Sequence, residues 1–510
     1  MDKMQQLADT VNKAYTFKGA TLPLGKAMLD GQLVDATVSA PLKTMNRHGL
    51  ISGATGTGKT KTLQVLAEKL SDASVPVLLL DIKGDLSGIA APGALNDKLR
   101  DRCTLLGIDY QPQGYPVELL SLSDGPGVKL KATVTEFGPV LLSKILELNS
   151  TQESILSMLF KYSDDHDMPL LDLQDLQKML QWAANEGKKE LGAEYGNISA
   201  ASVGTIMRKV IALQQQGADT FFGEKSFEVD DLMRISDDGR GMISIVRVAD
   251  IQDKPKLFST FMLQLLSELY ATLPEAGDMD QPKLVLFIDE AHLIFDDASK
   301  VLVDQLETII KLIRSKGVGI FFCTQNPTDI APAVLSQLGL KIQHALRAFT
   351  ANDRKAIVQA AKNYPDSEFY KTDEIITQLG IGEALISLLD EKGIPTPLVA
   401  TMMYPPSSRM DILSDAEVNA LVEKSALVSK YNEVVNRESA YEILNRKIET
   451  AKEEAPAKRK AAEQEEKSVL ETLGENTIVK SMMRTAGNTI VRSLLGSLGL
   501  GGRSRKKGWF

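Results

Sequence analysis

A length of 510 residues is too long for one compact core and predicts two or three domains. The hydrophobic content of 43% and the charged content of 25% are ordinary for a soluble globular protein. A formal net charge of −9 excludes a protein that coats nucleic acid with its whole surface, although it is compatible with a local basic channel.

The two cysteines, Cys103 and Cys323, lie far apart, and the four histidines form no metal-binding pattern. The sequence therefore has neither a disulfide framework nor zinc-ligand spacing, which favours a reducing cytosol. The amino terminus lacks the apolar segment of a secretory signal, and there is no run of about 18 apolar residues. We expect a cytoplasmic protein without a transmembrane segment.

The first 45 residues predict a short β-rich lead, too short to be a large independent domain. Its strand candidates lie between glycine and proline residues, at 15–17, 32–34 and 36–38.

A glycine-rich motif follows this lead. A strand candidate at 48–52 precedes a sequence of the form Gly-x-x-x-x-Gly-Lys-Ser/Thr, and a helical run over 61–70 follows it. This order predicts a phosphate-binding loop, in which backbone N–H groups and the helix N-terminus bind phosphate oxygens. Lys59 would reach the β- and γ-phosphates, and the Thr60 hydroxyl would bind Mg²⁺. The predicted nucleotide-binding residues are Gly53, Ala54, Thr55, Gly56, Thr57, Gly58, Lys59, Thr60 and Lys61.

Further strand candidates alternate with helices, which predicts a parallel sheet covered on both faces. The first part of this α/β core, residues 46–124, has further strands at 75–82 and 103–107. A helical insertion over 125–238 follows, with apolar residues recurring at three- and four-residue steps. The second part of the core, residues 239–404, has strand candidates at 241–248, 283–290, 318–325, 342–348 and 383–389, with helices at 256–273 and 300–315.

Beyond residue 404 the strand signals stop, and residues 405–510 predict a helical, charged C-terminal region. Exposed helices are expected at 416–425 and 433–452, and the Lys-, Glu- and Ala-rich segment 449–467 indicates a solvated helix or linker. Residues 476–510 contain seven Lys or Arg residues and no Asp or Glu. This composition predicts weak, salt-dependent contact with an anionic surface.

Adjacent carboxylates end the strand candidate at 283–290. Asp289 is predicted to lie near Mg²⁺, and Glu290 to polarise the attacking water as the base. The alternative is a pair of solvated acids at a strand end, but a phosphate-binding loop in the same sheet favours the catalytic interpretation.

Gln325 ends the next strand, where its amide could bind the γ-phosphate or the water and so sense the nucleotide; the alternative is an ordinary turn opened by Asn-Pro. Arginines can stabilise the phosphoryl-transfer transition state, often from a neighbouring subunit. The candidates are Arg314, Arg347 and Arg354, and each could equally be a surface residue or a salt-bridge partner.

These motifs carry a family resemblance. Residues 46–60, Asp81-Ile82-Lys83-Gly84-Asp85, Asp289-Glu290-Ala291-His292 and Thr324-Gln325-Asn326-Pro327 resemble motifs of the HerA-like ATPases in the HerA/FtsK superfamily. The whole chain most resembles the bacterial YjgR-like group, closely over about residues 15–405. HerA itself has a substantial N-terminal β-barrel, whereas the lead of this chain is short.

The resemblance implies a RecA-like P-loop NTPase core, Mg²⁺-dependent ATP hydrolysis and a hexameric ring around DNA. It assigns Walker A roles to Lys59 and Thr60, Walker B to Asp289, the base to Glu290 and the sensor to Gln325. Arg314 or Arg347 would be the arginine that acts within or across subunits.

Three functions stay open at this point. The first is an ATP-driven ring motor, a DNA translocase or helicase, and this is our prediction. The second is a motor with the same core that moves protein, as in secretion or conjugation. The third is a nucleotide-dependent switch that binds a partner or a membrane surface through residues 476–510. DNA-stimulated ATP turnover distinguishes the first from the second, and nucleotide binding without turnover would favour the third.

Overall fold

The computed structural model describes residues 2–249, 254–295, 300–433, 435 and 437–453. The chain divides into a compact unit of residues 1–441 and a second unit of residues 442–510, of which the described part, 442–453, is helical. The division predicted at residue 405 is therefore not a boundary between compact units. The predictions for 454–467 and 476–510 concern residues outside the described part.

A twelve-stranded mixed sheet organises the first unit, in the order β2-β1-β12-β11-β10-β3-β9-β8-β4-β7-β5-β6. The strands are β1 (Thr21–Leu29), β2 (Gln32–Pro41), β3 (Gly49–Ser52), β4 (Val77–Asp81), β5 (Val117–Ser121), β6 (Val128–Lys129), β7 (Ile243–Arg247), β8 (Leu284–Ile288), β9 (Val318–Thr324), β10 (Leu340–His344), β11 (Glu383–Ser387) and β12 (Val399–Met403).

The helices follow the strands in the alternation that the sequence predicted. They are α1 (Lys3–Ala14), α2 (Lys59–Asp72), α3 (Asp97–Leu106), α4 (Val134–Ile145), α5 (Ser150–Asp165), α6 (Leu173–Ala184), α7 (Lys188–Glu194), α8 (Ala200–Gln215), α9 (Pro255–Thr272), α10 (His292–Phe295), α11 (Lys300–Ile313), α12 (Pro332–Leu335), α13 (Ala351–Ala361), α14 (Thr372–Gln378), α15 (Asp415–Glu423) and α16 (Ala426–Tyr431). None of the helices in the described residues is long and apolar enough to span a membrane.

The sheet has a parallel and an antiparallel part. The eight strands from β10 to β6 in the sheet order pair in parallel, which confirms the predicted α/β core. The remaining pairs, from β10 through β11, β12 and β1 to β2, are antiparallel. The β1–β2 hairpin of the lead thus extends the central sheet, because β12 offers β1 an edge to pair with.

Two of the predicted strands are wrong. Residues 103–107 are the end of helix α3, which Asn96 caps by accepting a hydrogen bond from the Leu99 N–H (2.9 Å) and which Gly107 ends with φ of 64°. A short apolar run does not distinguish a strand from a helix, and the two cap residues carried the better signal. Residues 15–17 follow helix α1, and the Tyr15 hydroxyl donates to the Pro397 carbonyl (2.7 Å).

The core strands are apolar on both faces because helices cover both faces of the sheet. Every residue of β3, β4, β5, β8 and β9 is buried. The rings of Phe287 and Phe321, on neighbouring strands, have centroids 5.0 Å apart. Burial of each such side chain stabilises the fold by roughly 1.5–3 kcal/mol. This packing fixes the strand ends, where most of the predicted site residues lie.

The helices α4 to α8 occupy the stretch between β6 and β7, where the periodicity predicted a helical insertion. Three of them begin with reciprocal caps, in which Thr133 pairs with Glu136, Asn149 with Gln152 and Asp172 with Asp175. These caps stabilise each helix start independently of the sheet.

Candidate active site

The candidate site lies where adjacent parallel strands end. Parallel strands point the same way, so the carboxyl ends of β10, β3, β9, β8 and β4 meet at one edge of the sheet, which we call the carboxyl edge. The segments that follow these strands contain the predicted loop, the predicted acids, Gln325 and Arg347. The sheet topology alone therefore brings most of the predicted residues together.

The glycine-rich loop joins β3 to α2. The Gly53 N–H donates to the Thr324 carbonyl (3.3 Å) and the Ala54 N–H to the Ala345 carbonyl (2.8 Å), which anchors the loop to both neighbouring strands. Gly58, with φ of 114°, is the N-cap of α2 and has no side chain to cap it. The amino end of α2 is thus shaped to bind an anion.

The start of the loop has no room for a side chain at Gly53. Gly53 has φ of 152°, and a Cβ there would lie 2.5 Å from the Cβ of His344. His344 is fully buried, with Nε2 2.9 Å from the Thr62 hydroxyl and Nδ1 2.9 Å from the Glu383 carbonyl. Burial lowers the pKa of His344 to about 4, so this ring is neutral and supports the loop without adding charge. The cradle suits a ligand that approaches the backbone closely.

Lys59 is the first residue of α2 and is buried. Its Nζ donates to the carbonyls of Gly53 (2.6 Å) and Ala54 (3.3 Å). Burial lowers the pKa of Lys59, and the charge of Lys83 lowers it further. Phosphate oxygens are stronger partners for an ammonium group than neutral carbonyls are. The surroundings of Lys59 therefore fit the predicted contact with the β- and γ-phosphates.

Asp289 and Glu290 directly follow β8 and are only 2% and 4% exposed. The Asp289 Oδ2 atom accepts no hydrogen bond from any residue in the described part of the chain. Burial raises the pKa of Asp289 to about 7, and the charge of Lys83 opposes this rise. A buried carboxylate oxygen without a partner fits a ligand of a divalent cation. Thr60, the second residue of α2, is the predicted companion ligand.

Glu290 has φ of 45°, which is unusual for a residue other than glycine. Its Oε1 atom forms an ion pair with Nζ of Lys83, and its Oε2 atom lies 3.2 Å from Nδ1 of His292. Neither Lys83 nor His292 was assigned a role from the sequence. Both are polar residues shortly after buried strands, which is the same position in the sequence that indicated Asp289 and Gln325 as site residues.

A cavity of about 650 Å³ opens beside the loop. Ala54, Thr55, His292, Gln325 and Arg347 are among its lining residues. Gln325 is exposed, and Arg347 donates to the Thr377 carbonyl in the last turn of α14 (2.8 Å) and to the Leu379 carbonyl directly after this helix (3.2 Å). The fold therefore brings Gln325 and Arg347 to the loop of their own chain.

Arg314 lies at the opposite edge of the sheet, which we call the amino edge. It precedes β9, whose seven residues separate it from Thr324 by roughly 20 Å. Lys43, Arg47, Lys311 and Arg314 line one cavity there, of about 350 Å³. Burial lowers the pKa of Arg314, and the charge of Arg47 adds to this effect. Arg314 is too far away to reach the loop of its own chain.

Arg354 is exposed on α13 and lines a different cavity with Lys355 and Lys362. The residues of α13 that line the cavity beside the loop are Asp353, Ala356 and Ile357. Arg354 therefore lies outside the candidate site.

A second cavity, of about 410 Å³, lies beside the amino end of α2. Lys61, Arg102, Tyr404, Pro405 and Met410 contribute to its walls. It was not predicted, because segments more than 300 residues apart in the sequence build it together.

One buried carboxylate fixes the wall of this second cavity. Glu68 of α2 accepts hydrogen bonds from the N–H groups of Ser407 (2.9 Å) and Ser408 (3.1 Å). Both serine hydroxyls also donate to this carboxylate. The segment after Tyr404 is thereby held against the helix that carries Lys59.

A glycine-rich loop between a strand and a helix, with buried acids at the end of a strand in the same parallel sheet, defines a P-loop NTPase. The family model described as "Helicase HerA-like C-terminal" matches residues 27–505. The chain belongs to this family, as the resemblance of its motifs implied.

The chain is 23% identical over 361 residues to the "Probable helicase MJECL08" of Methanocaldococcus jannaschii, a match over 67% of this chain and 63% of that protein. It is 23% identical over 399 residues to the "DNA double-strand break repair helicase HerA" of Sulfurisphaera tokodaii, over 75% and 69%. The chain thus spans about two thirds of the length of these relatives.

Among solved structures, the bacterial conjugative coupling protein TrwBdeltaN70 in complex with sulphate matches with a TM-score of 0.51 at 13% identity. The match covers 80% of this chain and 94% of that one. It shows that the two chains share a fold.

Proposed function

We propose that the protein is a Mg²⁺-dependent ATPase of the cytoplasm that assembles into a hexameric ring and couples ATP hydrolysis to movement on DNA. One observation supports hydrolysis above all others. At the carboxyl edge, the phosphate cradle with Lys59 stands beside a buried Asp289 oxygen without a partner and beside the carboxylate of Glu290. These are the groups that phosphoryl transfer to water requires.

Each residue of the site has a separate role in the proposed hydrolysis. Lys59 exchanges two loop carbonyls for the β- and γ-phosphates, and the amino end of α2 binds further phosphate oxygens. Thr60 and Asp289 would hold Mg²⁺, which when bound would neutralise charge on the phosphates. Glu290 accepts a proton from the attacking water, and Gln325 contacts the γ-phosphate from the adjoining cavity.

The second cavity would receive the base and ribose. Gly58 and Lys61, which belong to the predicted phosphate site, also line this cavity, and Tyr404 and Pro405 offer apolar surface for a planar base. Glu68 holds this wall in place through Ser407 and Ser408, so the pocket exists before the ligand arrives.

The positions of the arginines support the proposal that the protein assembles into a ring. Arg314 and Arg47 line one cavity at the amino edge, where they cannot serve the site of their own chain. In a ring they would meet the γ-phosphate bound by the next copy. Arg347 would act within its own chain, from the cavity that it shares with Gln325. The hexameric count follows from the family resemblance.

Movement on DNA is supported by the relative from Sulfurisphaera tokodaii, which bears the name of a DNA double-strand break repair helicase. The test is the ATP turnover of the purified protein with and without double-stranded and single-stranded DNA, with heparin as a polyanion control. We expect DNA to stimulate turnover, heparin to have a smaller effect, and the Lys59→Ala variant to be inactive in every condition. Turnover that ignores DNA would favour a motor that acts on protein. Binding of ATP without turnover would favour a nucleotide switch.

A further inference from the structure

The turn after β4 is built around one buried carboxylate. Asp81 accepts hydrogen bonds from the backbone N–H groups of Gly84 (2.8 Å), Asp85 (3.1 Å) and Leu86 (3.1 Å). Gly84 makes the turn feasible with φ of 76°. Three hydrogen bonds to one charged group hold the backbone tightly, so the position of Lys83 within this turn is fixed.

This turn lies next to the proposed base because of the sheet order. Strands β4 and β8 are parallel neighbours, with Leu80 opposite Ile288. Both therefore end at the same point of the carboxyl edge, and Lys83 meets Glu290 two residues after its own strand ends.

Glu290 is held from several sides. The Ala291 N–H donates to the Cys323 carbonyl (2.9 Å) and the Leu293 N–H to the Glu290 carbonyl (3.0 Å), which fixes its backbone in the left-handed region. Its Oε1 atom pairs with Lys83, and its Oε2 atom lies 3.2 Å from His292, a lining residue of the cavity beside the loop. A strained backbone that several contacts hold in place is typical of a functional position.

We propose that Lys83 is the positioning residue of the proposed base: it holds Oε1 of Glu290, so that Oε2 is presented to the water that attacks the γ-phosphate. This inference rests on the proposed ATPase function. A glutamate side chain has three rotatable bonds, and a misplacement of about 1 Å can slow a reaction about 100-fold. Without Lys83, the carboxylate would lose the contact that fixes its rotation, while the phosphate cradle would stay intact.

The test compares Lys83→Met, Lys83→Arg, Glu290→Gln and the double variant in the full chain. We expect Lys83→Met to lower kcat about 10- to 100-fold, with KM for ATP and the Kd of a non-hydrolysable ATP analogue changed by less than about threefold. Lys83→Arg should recover a large part of kcat, because it restores the cation. The double variant should be no slower than Glu290→Gln, because a base that is absent cannot be misplaced.

The controls separate this inference from the function on which it rests. Lys430→Met removes another partly buried lysine, which pairs with Asp231 at 2.7 Å, and should leave kcat unchanged. If wild type turns over ATP no faster than Lys59→Ala, the proposed ATPase function fails. If wild type is active, an unchanged or raised kcat in Lys83→Met overturns the positioning role. A rise in KM and Kd at constant kcat would also overturn it and would make Lys83 a phosphate ligand.

Discussion

The two edges of the parallel sheet differ in charge and in how their charged side chains are used. At the carboxyl edge, cations and acids meet each other within one chain, as in the pair of Lys83 with Glu290 and the contact of Lys59 with its own loop. At the amino edge, four cations line one cavity, with Asp278 as the acid among the lining residues. Two of these four cations are already paired, Lys43 with Asp278 (2.9 Å) and Lys311 with Glu307 (3.8 Å), whereas Arg47 and Arg314 form no ion pair with an acid in the described residues. The first edge is therefore a site that needs a ligand, and the second presents two arginines that can bind an anion.

This difference separates the proposed catalytic residues between two ends of the fold. The carboxyl edge has the phosphate cradle, the proposed metal ligand and the proposed base, and Arg347 is the arginine that the fold brings to it. The amino edge has Arg47 and Arg314, whose mutual repulsion an approaching phosphate would relieve. In a ring in which the amino edge of one copy faces the carboxyl edge of the next, these arginines would lie beside the phosphate bound at the neighbouring site.

The largest expected effect comes from breaking the carboxyl edge at its loop. Lys59→Ala removes the ammonium group that contacts Gly53 and Ala54, and should lower ATP turnover about 1,000-fold, the upper end of the loss expected when one electrostatic contact in the transition state is removed. The matched control is Lys69→Ala, at the far end of the same helix, which should keep wild-type turnover. A Lys59→Ala rate within a few-fold of wild type would contradict the assignment of the loop.

A smaller effect is expected when the base alone is changed. Glu290→Gln keeps the shape of the side chain but cannot accept a proton, so turnover should fall about 100-fold while ATP still binds. Single-turnover rates and the Kd of an ATP analogue, measured on the same preparation, check this. Loss of ATP binding with unchanged turnover per bound ATP would make Glu290 a binding residue.

Much of the carboxyl edge was predictable because its chemistry lies in short motifs. The loop, Asp289, Glu290 and Gln325 each follow an apolar strand, and strand ends in a parallel sheet converge without any knowledge of side-chain packing. The residues from Gly53 to Lys61 needed only the pattern and its flanking strand and helix.

Features that depend on pairing between distant segments were not predictable. The antiparallel part of the sheet forms because β1 pairs with β12, more than 350 residues away, and no local signal encodes that contact. The second cavity depends in the same way on the contact of Glu68 with Ser407 and Ser408. Arg314 is a different case: it precedes the strand that Gln325 follows, so the predicted parallel sheet already places the two residues at opposite edges.

Each edge also contains one buried histidine, and together they predict a pH dependence of stability. His48 lies at the amino edge, where it accepts from the Ile320 N–H (3.0 Å) and has Nε2 2.9 Å from the Ile310 carbonyl. Burial lowers the pKa of His48 to about 4, below its unfolded value of about 6.5. The unfolded chain therefore binds more protons between these values, so this contribution is full above pH 6.5 and is lost as the pH falls towards 4.

Between pH 7 and pH 5, the protonation of His48 in the unfolded chain lowers the free energy of unfolding by about 2 kcal/mol, which raises the unfolding constant roughly 30-fold. Urea unfolding at both pH values, on wild type and His48→Gln, measures it. The difference between the two proteins isolates His48 from the buried acids Asp81 and Asp289, whose raised pKa values act in the opposite direction. An equal pH dependence in the two proteins would show that His48 is not neutral in the fold.

The smallest expected signal is a several-fold rescue in mixed rings, and it tests whether the two edges meet between copies. Arg314→Ala leaves the carboxyl edge intact but removes a cation from the amino edge, whereas Lys59→Ala does the reverse. If the amino edge of one copy serves the loop of the next, a Lys59→Ala copy supplies Arg314 to the intact loop of an Arg314→Ala neighbour. Mixtures should then regain part of the activity that both parents lack, and the specific activity of wild type should rise with protein concentration.

Arg354→Ala is the matched control, because this arginine lies outside both edges and its loss should not lower turnover. A protein that stays monomeric with ATP and shows no rescue on mixing would exclude a shared site, and Arg347, already beside the loop, would then be the arginine that acts within each chain.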